Sequence, residues 1–266
     1  MNSNEEHDYL TTETSYDPNY RSASPFLPPT PRRGSNESST AGSDYGQEVK
    51  DLISKTATAK AVDAFHTKSH VNMRIHDSTG RCMYYVDNSA FTIGKPDVTL
   101  CAGTEKNGPI LGVCRWSNMY SKHYNVGVGN PTTNEKGTIW EEVKVSHHRH
   151  PEWQWSMTLP SRARHSFTWH RITGDELKAA DEDANKMSRK NVKLVDSETG
   201  EVLVVFGSNR FKSWKKFGKF TFNVDGRERG WGDNWEMMVL LTALGLVEMS
   251  RRRARQRRST PGQGGP

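Results

Sequence analysis

Basic and aromatic residues alternate in one short stretch of the chain, 210–220. Its cations are Arg210, Lys212, Lys215, Lys216 and Lys219, and its aromatic residues are Phe211, Trp214, Phe217 and Phe220. Cations pair with phosphate groups, and aromatic rings wedge into a lipid interface or stack on nucleobases, so this composition suits an anionic surface. That interpretation fits a membrane and a nucleic acid equally well. The competing interpretation is a strand with its entry loop, in which the aromatic side chains point inward and the lysines are solvated.

A second basic cluster is the arginine run near the C-terminus. It consists of Arg251, Arg252, Arg253, Arg255, Arg257 and Arg258. Its charge equals the formal net charge of +6, so the remainder of the chain is balanced. Near an anionic leaflet each such cation contributes about 1 kcal/mol, although the same run also suits a nuclear localisation signal or a phosphate contact. We take Arg251, Arg252, Arg253 and Arg255, together with the five cations of 210–220, as candidate lipid- or anion-binding residues.

Catalytic and metal chemistry is sparse in the sequence. His147, His148 and His150 follow a predicted strand, but no carboxylate or thiol accompanies them, which favours a solvated loop over a metal site. The glycine-rich 126–130 segment lacks the lysine and the following helix of a phosphate loop, so its glycines indicate a bulge or a close approach of strands. We expect no catalytic residue, metal or cofactor, and an enzyme is the third alternative for function.

The longest apolar run of the chain, 237–247, predicts a helix that is apolar on every side. At 1.5 Å per residue it is about 17 Å long, which is short of the roughly 30 Å of bilayer hydrocarbon, and Glu236 and Glu248 bound it. A helix without a polar face must be enclosed, so we predict a buried core helix. Asp233 or Asn234 is expected to cap its start, and the arginine run is expected to emerge into solvent at its end.

Short alternating runs separated by turn residues begin at about residue 64 and predict about eleven or twelve strands. Many antiparallel strands and one wholly apolar helix favour a closed barrel, because closure removes sheet edges and encloses the helix. The segments 72–86 and 191–206 resemble each other in sequence, and each predicts a strand, an Asp-Ser turn and a second strand. This similarity indicates either chance hairpins or a sheet built from two related halves.

The first 60 residues are rich in Ser, Thr, Pro and acids, and we predict a disordered tail. A second disordered tail is predicted at 259–266. Pro28, Pro31 and Arg33 fit a PxxPxR pattern of the kind that SH3 domains bind, with a stiff spacer as the alternative. Candidate phosphorylation sites in this tail are Ser24, Thr30 and Ser35.

Cysteine usage indicates a reducing compartment. The three cysteines, Cys82, Cys101 and Cys114, show no CxxC spacing, and the acidic, polar N-terminus does not read as a signal peptide. We therefore expect free buried thiols in an intracellular protein.

The hairpins Asp77-Ser-Thr-Gly80 and Asp196-Ser-Glu-Thr-Gly200, followed by a terminal helix that runs into arginines, resemble the tubby C-terminal-like superfamily. That superfamily includes tubby proteins, LURP-one-related proteins and phospholipid scramblases, and the closest likeness is to uncharacterised fungal members. The resemblance covers about 61–258 and implies a twelve-stranded barrel threaded by the C-terminal helix. The phosphoinositide-contacting residues of tubby, the calcium loop and the palmitoylated cysteine cluster of scramblases have no counterparts in this sequence.

These observations favour one mostly β barrel domain with a disordered N-terminal tail. For its function we expect a non-enzymatic intracellular adapter that binds a membrane surface or phosphoinositides, cytoplasmic or peripheral at the membrane. The alternative is a nuclear or nucleic-acid-associated protein in which the arginine run acts as a localisation signal.

Overall fold

The computed structural model describes residues 61–69, 71–89, 92–118, 121–146, 151–172, 191–209 and 215–259, with side chains up to residue 255. Several predictions concern other parts of the chain. The tail at 1–60, with its SH3-type pattern and its phosphorylation sites, lies outside the described residues. So do the three histidines of 147–150, the cations Arg210 and Lys212, and residues 260–266.

Twelve strands form a closed antiparallel barrel, and one long helix follows them. The strands are β1 Ala61–His66, β2 Met73–Asp77, β3 Cys82–Asn88, β4 Val98–Ala102, β5 Ile110–Arg115, β6 Tyr124–Val128, β7 Ile139–Ser146, β8 Glu152–Thr158, β9 Arg164–Arg171, β10 Val192–Asp196, β11 Val202–Ser208 and β12 Lys216–Phe222. The helix, α1, spans Asp233–Ser259. This architecture confirms the fold predicted from the sequence and the fold that the tubby-like resemblance implies.

Every strand pairs with its neighbour in the chain, and β1 closes the ring by pairing with both β2 and β12. Closure satisfies the backbone groups that an open sheet leaves at its edges.

β1 is the strand that the sequence analysis missed. Its Ala-Val-Asp-Ala-Phe-His sequence contains a single branched aliphatic residue, Val62, so the apolar alternation that predicts a strand is weak there.

α1 fills the barrel. Its residues from Trp235 to Met249 are buried on all sides, as predicted for a helix without a polar face. Inward-facing strand residues supply the enclosure; on β8, for example, Trp153, Trp155 and Met157 are buried while the alternate residues face outward. No helix in the described part of the chain combines the length and the apolarity that a membrane span requires.

Three strand side chains hydrogen-bond to a single turn of α1. The Tyr124 hydroxyl donates to the Thr242 carbonyl at 2.6 Å, the Trp169 indole donates to the Thr242 hydroxyl at 3.0 Å, and the Cys114 thiol donates to the Leu241 carbonyl at 3.3 Å. Apolar contacts have no direction, whereas hydrogen bonds do. These bonds therefore fix how far α1 enters the barrel and how it is rotated.

Glycine is required where the wall approaches the helix most closely. A Cβ at Gly245 would overlap the ring of Tyr124, and a Cβ at Gly112 would overlap the side chain of Leu241. The Gly127 position on β6 is crowded by Thr138 and Trp140, which agrees with the close strand approach predicted for the 126–130 segment.

The two self-similar segments are both hairpins with an aspartate turn. Asp77 accepts from the amides of Thr79 and Arg81, and Asp196 accepts from the amides of Glu198 and Thr199. Their strands, β2–β3 and β10–β11, are four positions apart in one direction around the ring of twelve and eight in the other. Two equal halves would place them six apart, so this spacing favours the alternative of chance hairpins with the same turn chemistry.

We expect Leu241→Asp to prevent folding. Leu241 is fully buried against Gly112, and an unpaired charge there costs several kcal/mol, which is a large part of the stability of a typical domain. Leu241→Met, which conserves volume, should cost less than about 1.5 kcal/mol. Circular dichroism and thermal unfolding of both variants check this, and a folded Leu241→Asp protein with the wild-type melting temperature would contradict the enclosure of α1.

Candidate functional site

The two ends of the barrel carry different charge. Because the strands form a simple meander, every second connection lies at the same end, and α1 runs from one end to the other. At the end where α1 finishes, the described side chains of the connections and of the helix include eight cations. They are Lys68, Lys95, Lys122, Lys215, Arg251, Arg252, Arg253 and Arg255. Within the described residues of this end, two carboxylates, Asp97 and Glu248, accompany them. We call this end the basic pole.

The opposite pole is mixed in charge. Its described connections and the first turn of α1 carry six cations and eight carboxylates. The cations are Arg81, Lys106, Lys136, Arg162, Arg227 and Arg229; the carboxylates are Glu105, Glu135, Glu198, Glu201, Glu228, Asp225, Asp233 and Glu236. The described positive charge is therefore concentrated at the end where α1 finishes.

Three lysines of the basic pole were not predicted from the sequence. Lys68 lies in the β1–β2 connection, Lys95 in the β3–β4 connection and Lys122 in the β5–β6 connection, and all three are exposed. Isolated lysines in turns look unremarkable in a sequence. Grouping alternate connections of the predicted strands brings Lys95 and Lys122 together, whereas Lys68 joins them only once β1 is known.

The expectation that the arginine run emerges into solvent is wrong for Arg252. Its side chain is 8% exposed, pairs with Asp97, and lies over the ring of Trp116 at 4.3 Å from the centroid. Glu248, with a 1% exposed side chain, lies 3.5 Å away on the preceding turn of α1. α1 continues beyond its apolar segment inside the barrel mouth, and the carboxylates enclosed there require cationic partners.

Arg251 is also largely enclosed. It donates to the Val71 carbonyl at 2.9 Å, contacts the ring of Phe217, and lies 3.8 Å from Glu248. Arg255 pairs with Glu248 at 2.8 Å but has a 45% exposed side chain, and Arg253 lies against Met249. The arginines of the C-terminal run whose side chains are described therefore divide into two pairs. The inner pair, Arg251 and Arg252, ties α1 to the loops, and the outer pair is Arg253 and Arg255.

We expect Arg252→Gln to destabilise the protein by about 3 kcal/mol, because it leaves the Asp97 carboxylate without its cation and removes one of the three arginines around the enclosed Glu248. Arg255→Gln is the matched control. Its partner is the same Glu248, but its side chain is half exposed, so the loss should be under about 1 kcal/mol. Urea unfolding of the two variants measures both free energies, and equal losses would contradict the division into inner and outer arginines.

The structure favours the strand interpretation for the described part of the 210–220 stretch. Phe217 and Phe220 are buried inside the barrel, so they cannot wedge into a lipid interface as one interpretation required. Lys216 pairs with Asp63 at 2.9 Å, and Lys219 lies half-buried on β12. Among the described cations of this stretch, Lys215 is the one classed as exposed, and it belongs to the basic pole.

The barrel wall has a gap between β7 and β8, because these two strands pair over only part of their length. These strands share three residue pairs, from Lys144↔Gln154 to Ser146↔Glu152, at the end nearer the basic pole. Towards the opposite pole two cavities of about 500 and 400 Å³ lie between them. Arg164 bridges the gap from β9 to the buried carboxylate of Glu141 on β7, with two hydrogen bonds of 2.6 and 2.5 Å. This pair raises the pKa of the Arg164 guanidinium and fastens the part of the wall that lacks ladder bonds.

Glu236 is a buried carboxyl in the first turn of α1. Burial, followed by the neighbouring Asp225 carboxylate, raises its pKa to about 8, although Arg227 acts in the opposite direction. Its ordinary value is 4.5, so the folded protein holds a proton on Glu236 at neutral pH. The carboxyl can then occupy the first turn without bringing a charge into the barrel.

We expect the stability of the protein to fall as pH rises between about 4.5 and about 8, because over this window the folded state binds the Glu236 proton and the unfolded state releases it. Glu236→Gln, which imitates the protonated carboxyl, should lose less stability over the same window. Melting temperatures of both proteins across the pH range test this. Parallel curves for the two proteins would show that Glu236 does not titrate in this window.

The described groups that resemble catalytic residues have structural partners. His165 lies 3.1 Å from Asp196 and 3.4 Å from Glu198, but within the described residues no serine or cysteine hydrogen-bonds to it. Burial alone would raise the pKa of Asp196; hydrogen bonds from two turn amides and His165 outweigh it and lower that pKa.

Burial raises the pKa of the Cys101 thiol to about 11 and that of Cys114 further, so both stay protonated. All three cysteines are free, as predicted, although Cys82 is only half-buried.

Comparison with known proteins gives little further information. No protein-family model matches the chain, and no curated protein matches it. A solved protein structure from Arabidopsis thaliana aligns with 73% of this chain and 98% of its own length, at 16% sequence identity and a TM-score of 0.40.

Proposed function

We propose that the protein is a non-enzymatic intracellular adapter whose basic pole binds the anionic surface of a membrane. The charge asymmetry between the described residues of the two ends of the barrel carries this proposal. Lys68, Lys95, Lys122 and Lys215 lie on four connections around the end of α1, where the helix adds Arg253 and Arg255. Cations on separate loops at one end of a barrel form a surface that can face a flat array of phosphate groups.

Phosphoinositides are the headgroups that this pole is proposed to prefer. They carry more negative charge than phosphatidylserine, and binding to anionic lipid rises by about 1 kcal/mol for each nearby cation. The inner arginines support the pole indirectly. Arg251 and Arg252 hold the β1–β2 and β3–β4 connections against α1, so Lys68 and Lys95 are presented from anchored loops.

A non-enzymatic role accords with the chemistry of the described residues. The described thiols that are fully buried have raised pKa values, and the His165 and Asp196 side chains are held in a hairpin turn. The predicted SH3-type segment at Pro28, Pro31 and Arg33 gives the adapter a second partner, and phosphorylation of Ser24, Thr30 or Ser35 gives it a means of regulation. These tail features remain predictions from the sequence.

The triple variant Lys68→Gln, Lys95→Gln and Lys122→Gln tests the proposal. We expect it to fold normally, because the three side chains are exposed, and to bind vesicles of phosphatidylcholine and phosphatidylserine about 100-fold more weakly. Wild-type binding should fall as salt rises. Vesicle co-sedimentation over a range of salt concentrations, with and without phosphatidylinositol bisphosphate, measures both effects.

Arg81→Gln, Lys136→Gln and Arg162→Gln together form the matched control, since they remove the same charge from the opposite pole. This control should bind vesicles as the wild type does. Duplex DNA is measured in parallel, because its phosphates attract the same cations with a similar salt dependence. A wild-type protein that binds DNA and ignores vesicles at low salt would replace the membrane proposal by the nuclear one.

A further inference from the structure

Exposed apolar side chains accompany the lysines of the basic pole. Three large apolar side chains are exposed in the described part of the chain: Val71, Ile93 and Ile139, which are 47%, 98% and 36% exposed. Val71 and Ile93 lie in the β1–β2 and β3–β4 connections, the same connections that carry Lys68 and Lys95. Ile139 begins β7 near the opposite pole and lines one of the two cavities there. The basic pole therefore presents apolar and cationic groups on the same two loops.

A well-formed turn presents Ile93. The Lys95 amide donates to the Thr92 carbonyl at 3.1 Å, and Gly94 between them has a φ of 81°. Positive φ at the third position of such a turn is the geometry of a type II turn, which places Ile93 at its corner. An isoleucine at the corner of a turn has no wall of the barrel to pack against, which explains its almost complete exposure.

The base of this loop is anchored to the barrel. The Ser89 amide donates to the Asp97 carbonyl at 3.0 Å, the Asp97 carboxylate accepts from the Trp116 amide at 2.8 Å, and the same carboxylate pairs with Arg252. The loop that bears Ile93 is thus tied to the end of α1. The turn at its tip is closed by a backbone hydrogen bond, so docking this turn on a partner requires little additional ordering.

The loop that bears Val71 is fastened to its neighbour. The side-chain amide of Asn88, at the end of β3, donates to the Val71 carbonyl at 2.7 Å, and Arg251 donates to the same oxygen at 2.9 Å. The backbone amide of Asn88 donates to the side-chain oxygen of Asn72 at 2.9 Å. The two loops therefore form one continuous part of the basic pole.

From this arrangement we infer that the barrel docks end-on, with Ile93 and Val71 inserted among the lipid headgroups and Lys68, Lys95 and Lys122 paired with lipid phosphates around them. An apolar tip flanked by lysines suits the boundary between acyl chains and headgroups, where a lysine stem lies along apolar surface while its ammonium stays at phosphate level. Duplex DNA presents phosphates but no apolar layer of this kind. The inference rests on the proposed function and specifies the orientation of the protein at the membrane.

Ile93→Ser tests the insertion separately from the charge. It keeps every cation, so association with phosphatidylcholine and phosphatidylserine vesicles at low salt should persist, with a Kd raised about tenfold, or about 1.4 kcal/mol. At high salt, where charge is screened, the wild type should retain binding that the variant lacks. Ile93→Leu should bind as the wild type does, and neither substitution should change binding to duplex DNA.

A fluorescent label gives a readout that does not depend on affinity. Ile93→Cys is prepared with Cys82→Ser, because Cys101 and Cys114 are buried, and is coupled to an environment-sensitive dye. The dye should shift to shorter wavelength with vesicles and be quenched by lipids that carry a quencher near the headgroup. The same dye at Thr199→Cys, an exposed position of the opposite pole, should show neither change.

The outcomes separate the two proposals. If Ile93→Ser binds like the wild type at every salt concentration and the dye at position 93 does not respond, end-on insertion is wrong, while loss of binding in the triple lysine variant still supports the proposed function. If the dye at position 199 responds instead, the barrel docks by its opposite pole. A wild-type protein that does not bind these vesicles overturns both the insertion and the membrane proposal.

Discussion

The enclosure of α1 is the constraint on which the rest of this structure depends. The helix has no polar face between Trp235 and Met249, so it is stable only where apolar side chains surround it completely. A closed sheet of twelve strands supplies that surrounding and pairs the edges that an open sheet would leave, except where β7 and β8 separate towards the opposite pole. The hydrogen bonds at Thr242 then select one depth and one rotation of the helix from the many that apolar packing alone permits.

The helix also organises the charge of the molecule. Its positive dipole end lies among the carboxylates of the opposite pole, and its negative end lies among the cations of the basic pole. The inner arginines extend this order to the loops, because Arg252 reaches Asp97 and Arg251 reaches the Val71 carbonyl. Consequently the residues that hold the helix in the barrel also hold the loops that we propose to contact a membrane. A substitution among the inner arginines would affect stability and binding together, so the outer cations are better probes of binding.

Local patterns predicted most of the fold, whereas the candidate site depended on contacts between distant segments. The apolar run at 237–247 and the turn at Asp77–Gly80 are read within one window of sequence, and both are present in the structure. The burial of Arg252 depends on Asp97, which precedes it by 155 residues, so no local pattern indicates it. Phe217 was ambiguous for a related reason: basic and aromatic residues alternate in membrane-binding loops and in strands with one solvated face. Lys68 and Lys95 are single charges on separate loops, and only the folded barrel brings them to the same end, so no run of charge in the sequence indicates them.

The position of α1 in the chain has a consequence for biosynthesis. All twelve strands precede it, so a ribosome synthesises the whole wall of the barrel before the residues that fill the centre appear. Neighbouring strands can form hairpins as they emerge, but side chains such as Tyr124 and Trp169 have no contact with α1 until translation passes Thr242. During that interval the nascent chain exposes large apolar surfaces, which make an incomplete chain prone to aggregation. A message truncated before Asp233 would therefore yield a polypeptide destined for degradation rather than a shortened barrel.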